Sequence, residues 1–237
     1  MTNILGVTLA RGGSKGVPGK HLRILGGKPV LQWTTDPAWD CTRLTDYVVS
    51  SDDPRIRVAS WCETIARPDE LALDTTPTLP ALQHAVRTME ARRGYQYDYV
   101  VELRATAPFK TLADIELVLD MLTTRDVDSV IGVVEVGDAH PSRLKQLDEA
   151  GYLRDWPGAP ENPSGRRQDC TPAAYLRNGS IYAFKREAVM GPGGRIFGHY
   201  KSLPYVMPPE RSVNLDTEMD WKLCQLLAAE LSPSTLA

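Results

Sequence analysis

Cysteine is scarce and scattered here: Cys41, Cys62, Cys170 and Cys224 are spread through 237 residues. None belongs to a Cys-x-x-Cys pair, which excludes the common zinc modules, and so few thiols in so long a chain do not build a disulfide scaffold. A reducing, cytoplasmic setting is the expectation. Histidine is equally sparse, and His21, His84, His140 and His199 show no metal-ligand spacing. No stretch approaches the about 18 consecutive apolar residues of a membrane span, so no membrane partner is expected. The opening MTNILGVTLARGG places its basic residue after a short apolar run and reads as a first strand, not a signal peptide. There is no basic excess either. Lys and Arg number 27 against 30 Asp and Glu, a net charge of -3, which argues against a nucleic-acid groove. Walker A and GxGxxG signatures, a Ser-His-Asp spacing, internal repeats and low-complexity segments are all missing.

What remains is ordinary globular material, 42% apolar and 24% charged, enough for one cored domain over 1–237. Strand-like and helix-like patterns alternate. Strands are expected at 3–9, 46–51, 97–103, 128–136 and 178–184. Helices are expected at 29–39 (disturbed near Pro37), 54–61, from Pro77 to about Arg93, 111–123 and 217–231. Strands apolar on both faces imply an α/β fold with a mainly parallel sheet covered on both sides. Residues 137–176, rich in Pro, Gly and charge, read as an inserted arm with a hairpin near Glu149-Ala150-Gly151. In such sheets ligands bind beyond the carboxyl ends of the strands. That rule puts the 10–20 loop, Ser51–Asp53 and Arg104–Pro108 on one rim.

The loop Ala10-Arg11-Gly12-Gly13-Ser14-Lys15-Gly16-Val17-Pro18-Gly19-Lys20 follows the first strand directly. Glycines let backbone N–H groups approach a phosphate, and Arg11, Lys15 and Lys20 bring three cations to it. A polyphosphate needs both features; a solvated polar turn needs neither. A second constellation is Asn214-Leu215-Asp216-Thr217-Glu218. Alternation on a short strand would put Asn214 and Asp216 on one face, where two oxygens could hold Mg²⁺. The competing reading is a helix start with Asp216 or Thr217 as its cap. Arg67 and Thr78 flank what reads as a loop and a capped helix. Arg104, Thr106 and Lys110 sit at a strand end. In the arm, Arg166 and Arg167 could grip a carboxylate or lie solvated.

In order, the runs LARGGSKGVPGK, SSDD, RPDELALDTTPT, LRATAPFK, YLRNGSIY and RSVNLDTEMDW resemble the N-acylneuraminate cytidylyltransferase family over nearly the whole chain. The resemblance implies a Rossmann-like nucleotidyltransferase fold with a protruding dimerisation arm, hence a homodimer. It implies CMP transfer from CTP to a 2-keto-3-deoxy sugar acid, pyrophosphate release and Mg²⁺. The loop, from Leu9, Ala10, Arg11, Gly12, Gly13 and Ser14 to Lys15, Lys20 and His21, would hold the nucleotide, with Arg67 and Thr78 at the cytosine. Arg104, Thr106, Arg166, Tyr182 and Ser212 would face the acceptor. Asp216, beside Asn214, would bind the metal, and Arg11, Lys20 and Asp216 would carry catalysis. The chain departs from the family pattern at His21 (usually Asn), Arg104 (Gln), Ala105 (Pro), Phe109 (Leu) and Asn214 (Asp), and in a shorter stretch between Asp53 and Arg67. Another acidic acceptor, such as a phosphonate, and a non-catalytic nucleotide binder are the alternatives.

Overall fold

Runs of β-branched and aliphatic residues form the central strands, and each strand splits its side chains between two cores. In the computed structural model, which describes residues 2–161, 165–199 and 201–231, β1 spans Ile4–Leu9. Its Leu5 and Val7 pack on one side of the sheet and Ile4 on the other. A small hairpin, β2 (Ile24–Leu25) with β3 (Lys28–Pro29), precedes α1 (Gln32–Asp40). β4 (Asp46–Ser51) and α2 (Pro54–Ala59) follow, then β5 (Glu63–Ala66) and α3 (Thr78–Arg93). β6 (Tyr99–Leu103) leads to α4 (Leu112–Thr124), whose start is a capping box between Thr111 and Asp114. β7 (Ser129–Glu135) ends just before the stretch expected to form an arm. That stretch carries the expected hairpin as β8 (Lys145–Leu147) and β9 (Leu153–Asp155). The chain returns in β10 (Tyr175–Lys185), which starts opposite Glu135, so the excursion leaves and rejoins the sheet at adjacent strand ends. α5 (Arg186–Met190), β11 (Ser202–Val206) and α6 (Glu218–Leu231) complete the order.

The seven-stranded sheet runs β11-β7-β10-β6-β1-β4-β5. All its pairings are parallel except those of β10, which lies antiparallel between β6 and β7. The mainly parallel α/β expectation therefore holds. Residues 162–164 of the expected arm lie outside the described residues. Four short elements escaped the sequence reading: the β2–β3 hairpin, β5, α5 and β11. The two missed strands of the main sheet are its edges. β11 alternates exposed and half-buried and contains Pro204, as edge strands tolerate. The helix expected from residue 29 starts at Gln32 because Lys28–Pro29 pair in the hairpin.

A third apolar cluster lies off the sheet and positions the site. Val17 of the glycine loop, Leu25 of the small hairpin, Val30 just after it, Phe109, Leu215, and Trp221 and Cys224 of α6 pack together. Val17 and Leu215 are fully buried. Burying each is worth about 1.5–3 kcal/mol, so the loop and the 214–216 segment are held against each other by core packing.

Candidate active site

The parallel strands β1, β4 and β6 end side by side, and the loops leaving them form the rim. Ala10 N–H donates to the Ser50 carbonyl at 3.0 Å, and Gly12 N–H donates to Asp52 Oδ1 at 3.0 Å. Two glycines of the loop are required by close approach. A Cβ on Gly12 would sit 2.8 Å from Asp53 Cβ, and one on Gly16 would sit 1.9 Å from the Asp216 carbonyl oxygen. The second contact presses the loop's backbone onto the 214–216 segment, which is also tied to the turn after β6 through Leu215 N–H donating to the Thr106 carbonyl at 2.7 Å.

The three loop cations each meet a carboxylate. Lys20 Nζ donates to Asp216 Oδ1 and to the Leu215 carbonyl, both at 2.8 Å. Arg11 and Lys15 share Asp74, at 2.5 and 2.7 Å. Lys15 first, then Arg11, hold the Asp74 carboxyl below its ordinary range. Asp74 was not among the expected site residues. Its role is a matter of tertiary pairing between separate loops, which spacing along the chain does not report.

Asn214 and Asp216 do not lie on a strand, contrary to expectation; 213–216 is irregular. They still converge, because Leu215 between them turns into the third core and both neighbours turn away from that core. Asn214 Nδ2 donates to Asp216 Oδ2, so the amide presents its NH₂ and not its oxygen to the carboxylate. Asn214 Oδ1 is buried without a partner, near Gly179. The helix cap falls one residue later, on Thr217. Asp220 N–H donates to Thr217 Oγ1 and Thr217 N–H to Asp220 Oδ2, at 3.2 and 2.7 Å. Asp216 is thereby released from capping and stays largely exposed. Among the described residues no cluster of three or more His, Cys, Asp or Glu side chains could by itself hold a metal. A single carboxylate suits Mg²⁺ where phosphate oxygens and water supply the other ligands.

Leu9, Arg11, Ser14, Lys15, Lys20, His21, Arg67, Thr78, Arg104, Thr106 and Asp216 all line one cavity of about 470 Å³. The cavity also takes in Asp74 and Glu102, neither of which was expected there. Arg67 is buried and fixed by β4: its Nε donates to Ser50 Oγ at 3.2 Å and its Nη2 to the Ser50 carbonyl. Thr78 opens α3. Lys110 is buried beneath the β6 turn, donating to the Arg104 and Ala107 carbonyls and to Thr34 Oγ1 at 2.9, 2.6 and 2.8 Å. It thus shapes the turn that carries Arg104.

The remaining expected residues are not in the cavity wall. Ala10 is buried under the loop, Gly12 is half-buried against Asp52 and Asp53 on the far side of the loop, and Gly13 is exposed. Tyr182 lies beneath Arg104, whose guanidinium is 5.7 Å from the ring centre, and meets Phe197 edge-on. Ser212 Oγ donates to the Pro208 carbonyl and accepts from Asn178 Nδ2, at 2.9 and 3.0 Å. Arg166 is exposed in the arm and paired with Asp169.

His21 is buried between the main cavity and a smaller hollow behind the loop. Burial, followed by Lys20, Arg67 and Arg11, pushes its pKa down to about 3. Between pH 6.5 and 3 the unfolded chain therefore binds a proton that the folded chain refuses, and stability falls as pH falls. At pH 5 this costs about 2 kcal/mol relative to neutral pH. His21→Asn should remove that part of the acid sensitivity, read as the difference between urea midpoints at pH 7.5 and 5. An unchanged difference in the variant would show that His21 is not its source.

This arrangement sets a glycine and cation loop against a carboxylate over a mainly parallel sheet, a geometry suited to holding a polyphosphate. Residues 5–191 match the cytidylyltransferase family, and the chain belongs to it. N-acylneuraminate cytidylyltransferase A of Danio rerio is 30% identical over 94% of this chain and 50% of its own length. Several of the curated relatives are matched in this way, the chain spanning about half their length. The post-translational flagellin modification protein B of Campylobacter coli is 26% identical over 97% of both chains. In fold, the chain is similar to a CMP:2-keto-3-deoxy-manno-octonic acid synthetase solved with CTP, with a TM-score of 0.69 at 18% identity, covering 97% of this chain and 100% of that one.

Proposed function

We propose that this protein transfers CMP from CTP to the anomeric hydroxyl of a 2-keto-3-deoxy sugar acid of the sialic-acid type. The observation that carries the reading is the meeting of Lys20 with Asp216 at 2.8 Å in the cavity that Arg67, Thr78 and Arg104 also line. Phosphate-binding cations, a metal-ready carboxylate and two further guanidiniums thus face one space. The names of the relatives, and the CTP bound to the structural neighbour, support the same choice.

In the reaction the acceptor oxygen bonds to the α-phosphorus, the bond from that phosphorus to the bridging oxygen breaks, and pyrophosphate leaves. Arg11, Lys15 and Lys20 hold the departing charge, which is where preorganised cations help most. The hydroxyl proton is released to water. Asp216 is the residue that would hold Mg²⁺, which when bound would supply charge neutralisation and lower the nucleophile's pKa. Arg104 offers the acceptor's carboxylate a planar, permanently charged partner. Where the family resemblance expects Gln, this guanidinium also favours a second reading, in which another acid or a phosphonate is the acceptor.

Pyrophosphate release from CTP, followed across a nine-carbon nonulosonic acid, an eight-carbon ketosugar acid and a phosphonate, tests both. The nonulosonic acid should be turned over fastest. Turnover with the phosphonate alone would move the assignment to the second reading, and CTP binding with no turnover at all would make the protein a nucleotide binder. The arm leaves Leu147, Tyr152, Leu153, Trp156 and Leu176 exposed. This apolar surface supports a homodimer formed through the arm, and light scattering showing a monomer would reject it.

A further inference from the structure

β6 reads Tyr99-Val100-Val101-Glu102-Leu103. An acid in the middle of the sheet is out of place. Glu102 is opposite Val7 on β1 and Tyr182 on β10, and is only 2% exposed. The fold gives it little in return. Its Oε1 is 3.9 Å from Arg104 Nε, beyond hydrogen-bond reach, and its Oε2 is buried with no partner. Leaving such a group unsatisfied is costly, and a valine or leucine would fill the strand without that cost. Glu102 is nonetheless one of the residues that border the ligand cavity. Burial pushes its pKa up, while Arg104 and then Arg67 pull it back.

These two arginines also fix its place along the ligand. Arg67 stands at the end assigned to the base, and Arg104 at the end assigned to the acceptor. The piece of a nucleotide that connects the base to the reacting phosphorus is the ribose. The chemistry agrees with the position. An unpaired carboxyl oxygen needs a donor, and at that position, between the base and the reacting phosphorus, the ribose hydroxyls supply one.

We infer that Glu102 reads the ribose, its free carboxyl oxygen accepting a hydrogen bond from a ribose hydroxyl of the nucleotide and so favouring CTP over its deoxy counterparts. This rests on the cytidylyl reading of the site. It concerns a residue outside the motifs that carry the family resemblance.

The test is calorimetric titration of the whole chain, without acceptor, using CTP, 2′-deoxy-CTP and 3′-deoxy-CTP. Wild type should bind CTP about 10-fold or more tightly than at least one deoxynucleotide, the range expected for a lost hydrogen bond to a buried carboxyl. Glu102→Leu should bring CTP down to that deoxynucleotide's affinity and leave the deoxynucleotide itself unchanged. Glu102→Gln, which keeps an acceptor oxygen in the same place and the same volume, should retain most of the preference. Equal binding of all three nucleotides by wild type overturns the inference and needs no variant to fold. So does a preference that survives in Glu102→Leu, or a variant whose defect appears only in the KM for the acceptor. If wild type binds no CTP at all, the cytidylyl reading falls first and this inference with it.

Discussion

Lys20→Met should reduce CMP transfer by about 10²–10³-fold, the loss typical when one preorganised charge-stabilising donor is removed from a reacting centre. Several observations make Lys20 the most sensitive of the loop cations. Its side chain is 12% exposed, so its charge acts where water screens it least. It is fixed by two partners, the Leu215 carbonyl and Asp216, so little ordering remains when a triphosphate arrives. Methionine also leaves Asp216 without its counter-ion, which adds repulsion between that carboxylate and the incoming phosphates. Lys15 provides the internal comparison. Its side chain is 83% exposed and its partner is the shared Asp74, so Lys15→Met should cost much less, chiefly in KM for CTP. Because Asp216 is largely exposed, the fold should survive Lys20→Met, and a thermal melt near that of wild type would show it. Undiminished turnover in Lys20→Met, or a larger loss in Lys15→Met, would remove the loop from its assigned role.

How much of this was legible beforehand differs by residue, and the differences have physical causes. The central strands were readable because they are apolar on both faces; Asp46–Ser51 was delimited to the residue. The glycine loop was readable because close approach and charge both leave their mark on residue type. The edge strands were not, since β5 and β11 bury only part of their side chains and carry no continuous apolar run. At Asn214 and Asp216 the convergence was foreseen but its cause was not. A buried Leu215 turns both neighbours away from the third core in an irregular segment, and an alternating strand would have given the same juxtaposition. Glu102 was hidden in a strand whose neighbours argue only for core. An acid in such a run is itself the available signal, because a buried carboxyl without a structural partner calls for a ligand. Asp74 left no comparable mark, since its pairing with Arg11 and Lys15 exists only once the two loops are folded together.

Gly16→Ala should be nearly as damaging as Lys20→Met, although it removes no charge and no hydrogen-bonding group. The added Cβ would fall 1.9 Å from the Asp216 carbonyl oxygen, a backbone atom that cannot rotate aside. Either the loop or the 214–216 segment must then retreat by more than about 1 Å, and misplacement of that size costs on the order of 10²-fold in rate. The neighbouring Val17 and Leu215 are both fully buried in the third core, so they resist the retreat and convert part of it into strain. Lys20 and Asp216, one on each side of the displaced contact, lose the 2.8 Å geometry that defines the site. The main sheet and its two cores do not touch this contact, so the far-ultraviolet circular dichroism spectrum should remain that of wild type while pyrophosphate release falls. Gly13→Ala is the matched control, since a Cβ there meets nothing within 4 Å and should be tolerated structurally. If Gly16→Ala turns over CTP as wild type does, the loop does not depend on its seat against Asp216, and the assembly of the site through that contact is wrong.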